Sequence, residues 1–140
     1  MGSAVAETFF EANARVVLVD AKPELLDRRF PGSDSRYVKV PVNLLQRDMV
    51  LSAFAKIQDE HDGIDALCAI AGGFHMGEAV HDTATDIWEL MNNLNVRTLL
   101  NSTAAVVPHM IERGGGKIVT IGANAALRGV PGMGSYCAAK

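Results

Sequence analysis

The sequence predicts an α/β fold organised around a parallel sheet, and three features of the chain carry that expectation. Short β-branched apolar runs alternate with longer stretches of helical periodicity, the order that strand–helix–strand units produce. The runs are apolar at consecutive positions, as strands covered on both faces are. Glycine clusters punctuate the ends of the elements, at Ala71-Gly72-Gly73 and Gly114-Gly115-Gly116.

Ser3 to Asn13 carries Val5, Phe9 and Phe10 at helical spacing, with Ser3 placed as the N-cap. Arg15 to Asp20, R-V-V-L-V-D, reads as a buried strand closed by an acid. A short helix around Glu24 to Phe30 stops at Pro31-Gly32, and a strand follows from Tyr37 to Val42. Gln46 to His61 is helical, with Val50, Phe54 and Ile57 on one side. Ile64 to Ile70 is the third strand. Thr83 to Arg113 reads as one long, nearly continuous helix, weakened by Pro108 and ended by the glycine run. Lys117 to Ile121 is the fourth strand, Gly122 to Pro131 a loop, and a last helix begins near Met133.

At 140 residues the chain suits one domain with a real core. Its composition, 49% hydrophobic and 21% charged, is that of a soluble globular protein, so the cytoplasm is the expected location. The net charge of −3, with Lys and Arg scattered, argues against nucleic acid as a partner. No apolar run reaches the roughly 18 residues of a bilayer span, which argues against a membrane. Cys68 and Cys137 make no CxxC, and His61, His75, His81 and His109 make no HExxH, so no metal site is expected.

The chemistry-bearing pattern is Y-C-A-A-K at Tyr136 to Lys140. On a helix that spacing puts phenol and ammonium on one face, roughly 5–6 Å apart at Cβ. A cation so placed favours the phenolate and makes the phenol proton mobile. With Asp20 closing a strand, the Ala71-Gly72-Gly73 turn closing another and Asn95 in N-V-R-T about forty residues before the tyrosine, the chain resembles the short-chain dehydrogenase/reductase family from about Gly2 to Lys140.

The resemblance implies a Rossmann-type doubly wound parallel sheet forming a single NAD(P)-binding domain over residues 1–140. It also implies hydride transfer between a nicotinamide cofactor and a carbonyl, alcohol or quinonoid small molecule. Tyr136 is then the general acid or base, Lys140 holds the phenolate charge and bonds the nicotinamide ribose, and Asn95 keeps a relay water in place. Cofactor contacts are implied at Gly2, Asp20, Asn43, Leu44, Ala71, Gly72 and Gly73, as well as at Tyr136 and Lys140. Asp20 accepts the adenosine ribose hydroxyls and repels a 2′-phosphate, which favours NAD over NADP although Lys22 stands nearby. Asn43 takes the place of an adenine-contacting Asp. The long helix has the length that family members use in homo-oligomer contacts.

Three positions depart from the family pattern. The opening strand and its TGxxxGxG turn are not seen, Gly2 standing where the last glycine of that turn would be; Ala69-Ile70-Ala71-Gly72 replaces Asn-Asn-Ala-Gly; and Ala123 stands where a serine bonds the substrate carbonyl. Losing such a donor costs about 10²–10³ in rate. The loop from Ile121 to Tyr136 is similar to that of dihydropteridine reductase, a family member with alanine at the same place. Asn124 reads as an Asx turn or as a replacement donor. With the first strand absent from the middle of the sheet, the expected layout is incomplete. The Arg15 and Ile64 strands would flank a gap of two strand spacings, close to 10 Å, and the C-terminal part of the fold would lie beyond Lys140.

The same residues have purely structural readings. Tyr136 is then a half-buried aromatic, Lys140 a solvated end, Asn95 a helix-kink amide and Asp20 a capping acid. The whole chain then reads as a non-catalytic Rossmann-like fragment, or as a nucleotide-binding or interaction module.

Overall fold

A computed structural model describes residues 1–32 and 34–140. Helix α1 spans Gly2–Glu11, strand β1 Val16–Asp20, α2 Pro23–Arg29, β2 Tyr37–Pro41, α3 Arg47–His61 and β3 Ala66–Ala69. There follow α4, Thr85–Asn92, a π-helical turn over Asn93–Arg97, α5, Thr98–Glu112, β4, Lys117–Thr120, a 3₁₀ turn over Asn124–Leu127, and α6, Gly134–Ala139. Among the described residues no helix is long and apolar enough to cross a membrane.

β1 pairs with β2 in parallel, Val16 opposite Tyr37 through Asp20 opposite Pro41. β3 pairs with β4 in parallel, Ala66 opposite Lys117 through Ala69 opposite Thr120. The two pairs do not join. The direction of the ladders shows which edges are left over, because alternate residues of a parallel strand turn their N–H and C=O to opposite sides. Val16 N–H donates to the Arg36 carbonyl (2.7 Å) and the Asp20 carbonyl accepts from Val42 N–H (2.9 Å), so Val16, Leu18 and Asp20 face β2. The backbone groups of Val17 and Val19 therefore point away from it. Likewise Asp65 accepts from Lys117 N–H (2.9 Å), which turns Ala66, Cys68 and Ile70 to the free edge of β3. A cavity of about 1130 Å³ lies between, lined by the whole of β1 and of β3 and by no residue of β2. The expected gap is thus present, and one sheet is two half-sheets.

Helices bridge the halves on one face. Val17, Val19 and Val40 from one pair, and Leu67 from the other, pack against Val50, Phe54 and Ile57 of α3 and Val106 and Met110 of α5. On the opposite face Val16, Leu18 and Tyr37 meet Ala6 of α1 and Leu26 of α2. β1 is therefore covered on both sides, which is why its sequence is apolar at every position but the last. At the rim Phe10 stacks on Tyr37 at 4.2 Å, and the Arg36 guanidinium lies 3.7 Å over the Phe10 ring.

Several local expectations are corrected. α1 begins at Gly2 with Met1 as N-cap, so Ser3 lies inside the helix and caps nothing. The third strand is confined to Ala66–Ala69. The long helix is interrupted by the π turn at Asn93–Arg97, where the Asn95 side chain donates to the carbonyl four residues back; Thr98 and Ser102 make the same kind of bond in the helix that follows. Pro108 sits within α5, which ends at Glu112 just before the glycine run, as expected.

The edge assignment sets amide exchange. By NMR, the Val17, Val19, Ala66 and Cys68 amides should exchange with solvent faster than those of Leu18, Leu67 and Ala69, their neighbours in the same strands. Equal protection along each strand would contradict it.

Candidate active site

The expected site residues come from the C-terminal ends of the strands. β1 delivers Asp20: one carboxylate oxygen accepts Lys22 N–H (2.9 Å) in a tight local turn, and the other has no partner among the described residues. The contact from Lys22 is made by its backbone. β3 runs out through Ile70 into Ala71, Gly72 and Gly73. β4 runs out into Ile121, whose carbonyl accepts from the Lys140 ammonium at 3.1 Å.

Asn95 joins these parts. It is buried in the π-helical turn, where its amide NH₂ donates to the Met91 carbonyl (3.0 Å) and its oxygen accepts Gly73 N–H (3.1 Å). The glycines here are a matter of space. A Cβ on Gly72 would stand 2.7 Å from Asn95 Oδ1 and 3.2 Å from Lys140 Nζ, and one on Gly73 would meet Leu94 Cδ1 at 2.5 Å. Asn95, Gly72, Gly73 and Lys140 are therefore one cluster. Gly2, Asp20, Leu44, Ala71, Asn95 and Lys140 all line the cavity between the half-sheets. Gly2 reaches it as the first residue of α1, with Ile70 Cγ2 4.0 Å from where its Cβ would be.

Tyr136 is on α6, one turn before Lys140 and half-buried. Its hydroxyl is bonded by no side chain or backbone group among the described residues, and its ring meets that of Phe74 edge to face, centroids 4.9 Å apart. The loop carrying Phe74 also holds Glu78, whose carboxyl is drawn below the ordinary carboxylate range by its own backbone N–H and by His75.

Two expected residues lie outside the cavity lining. Asn43 Oδ1 accepts Leu45 N–H (3.0 Å), an Asx turn that leads into α3, and Asn43 does not line the cavity. Asn124 is the exposed first residue of the 3₁₀ turn and makes no Asx turn among the described residues. Conversely, the Ile121 carbonyl, Phe74 and Asn101 were not anticipated. Asn101 is buried and donates to the Leu44 carbonyl (2.8 Å), fixing that segment at the cavity wall. A large aromatic directly after a glycine pair at a strand end was the available signal for Phe74.

Gly72→Ala tests the cluster. The added methyl should push Asn95 off Gly73 N–H, lower stability by about 1–3 kcal/mol in urea titrations and remove exchange protection from the Gly73 amide. A neutral effect on both would refute the arrangement.

The chain is 30% identical to 2,3-dihydro-2,3-dihydroxybenzoate dehydrogenase of Bacillus subtilis, over 100% of its own length and 54% of that protein's. It is 29% identical to an NAD-dependent glycerol dehydrogenase of Listeria innocua, covering 100% of the chain and 55% of the relative. A gluconate 5-dehydrogenase of Burkholderia cenocepacia, solved with NADP and tartrate, superposes with a TM-score of 0.87 at 27% identity, over 99% of this chain and 55% of that one. The chain spans about half the length of the curated relatives it matches. The family model described as short chain dehydrogenase matches residues 1–140, every element from α1 to α6, and the chain belongs to that family.

Proposed function

We propose that the protein is an NAD(P)-dependent oxidoreductase acting in the cytoplasm on a small-molecule carbonyl or alcohol, with residues 1–140 forming one cofactor-binding domain. One observation carries the reading. A lysine ammonium, a buried asparagine amide and a glycine pair meet where parallel strands end, one helical turn from a phenol whose hydroxyl is unengaged. Ligands of open parallel α/β sheets bind at that end.

The residues present fit a dinucleotide. Asp20 offers a free carboxylate oxygen to the adenosine ribose, Leu44 an apolar wall, and Ala71 to Gly73 a backbone with no side chain in the way. Gly2 opens α1, whose first N–H groups face outward from a helix start. The nicotinamide supplies or accepts the hydride when bound. Tyr136 gives its proton to the substrate oxygen in reduction, or takes it in oxidation. Lys140 stabilises the anion left on Tyr136 and, from its place on the Ile121 carbonyl, reaches the nicotinamide ribose. Asn95 holds the Gly72–Gly73 turn open so that Lys140 has room, and orders the water through which the proton is replaced. The negative Asp20 repels a 2′-phosphate, which favours NAD; among the relatives, one is named for NAD and another was solved with NADP.

Ala123 leaves the substrate oxygen without the usual hydroxyl donor, so the substrate is one whose oxygen needs little further polarisation, as the loop's similarity to dihydropteridine reductase suggests. The open cleft between the half-sheets favours a second reading, a nucleotide-binding or interaction module without turnover. Tyr136→Phe separates the two. It should lower turnover by about 10²–10⁴ while NADH fluorescence titrations stay unchanged; undiminished turnover would remove Tyr136 from the chemistry, and no turnover in the wild type would favour the module.

A further inference from the structure

The loop leaving β3 is tied down along its length. Gly73 N–H is held by Asn95, and Gly77 N–H donates to the Gly132 carbonyl at 2.8 Å. Gly132 has φ +72°, and a Cβ there would stand 2.8 Å from the Gly77 carbonyl oxygen, so the two segments lie backbone to backbone. His75 reaches across the second anchor to Glu78 at 3.4 Å, and Val80 lies against Gly134 at the start of α6. Yet the large apolar side chains of this anchored loop face outward: Phe74 is 61% exposed and Met76 60%. The Phe74 ring is nonetheless held at 78° to the ring of Tyr136.

The geometry points to Phe74 as a specificity-determining residue: its exposed ring is the wall on which the flat body of the substrate lies while the substrate oxygen meets the Tyr136 hydroxyl. The substrate class is a ketone or secondary alcohol carried on, or fused to, an aromatic or conjugated ring. A small polyol in the same place would press its hydroxyls against the Phe74 ring, which offers little hydrogen bonding in return. The inference rests on Tyr136 having the role proposed above.

The test compares 1-tetralone with 1-decalone, which have the same bicyclic size and the same carbonyl but differ in aromaticity, by NMR titration of the labelled Phe and Tyr rings in the chain with NADH present. Tetralone should bind about three- to tenfold more tightly than decalone, the gain an aromatic pair supplies. Phe74→Leu should bring the two ketones within about twofold, and Phe74→Tyr should restore the preference. Equal affinities in the wild type, a preference that survives Phe74→Leu, or Tyr136 resonances that neither ketone moves would each overturn the assignment. NADH affinity, measured alongside, keeps the two claims apart. A wild type that binds NADH but shows no tetralone preference counts against Phe74 alone, whereas one that does not bind NADH counts against the oxidoreductase reading.

Discussion

The site depends on the carboxamide of Asn95. Buried in a helix, it faces two partners, the Met91 carbonyl behind it and the Gly73 N–H in front. A buried polar group left unpaired costs about 1–3 kcal/mol, which favours keeping both bonds. Through this one side chain the helix register fixes where the β3 loop turns, which sets the room available at Gly72 and so the position of Lys140. The π-helical turn belongs to the same constraint, since it brings Asn95 round to the loop rather than leaving it on the regular helix face.

The second constraint is the split sheet. Two parallel pairs share a helical floor of Phe54, Ile57, Val106 and Met110, so the halves are held in place without a ladder between them. Hydrophobic cover therefore keeps the strand ends at a common level, and Asp20, Ala71 and Lys140 border one cavity although they come from β1, β3 and α6. The backbone groups of Val17, Val19, Ala66 and Cys68 that face away from the ladders border that cavity.

Much of this was legible in the sequence because the signals were local. Valines on consecutive positions mark β1 as doubly covered, and the acid at Asp20 marks its end. What escaped was set by distant partners or by competition within a turn. Ile87, Met91 and Leu94 keep helical period straight into the π turn, so periodicity cannot show the interruption. Asn43 also closes an Asx turn onto Leu45 N–H, a bond that its residue type permits without announcing. The anchor of Lys140 on Ile121 and the approach of Phe74 to Tyr136 join segments 19 residues and about sixty residues apart, and no window along the chain contains both ends.

A calorimetric titration of NADH into the wild-type chain and Lys140→Met tests whether Lys140, seated beside Asn95 and the glycine pair, holds a nicotinamide nucleotide. Saturable binding by the wild type, weakened about tenfold or more in the variant, is expected, the worth of a hydrogen bond from a charged donor. Equal affinity in the two proteins would contradict it, as would a wild type that takes up no NADH.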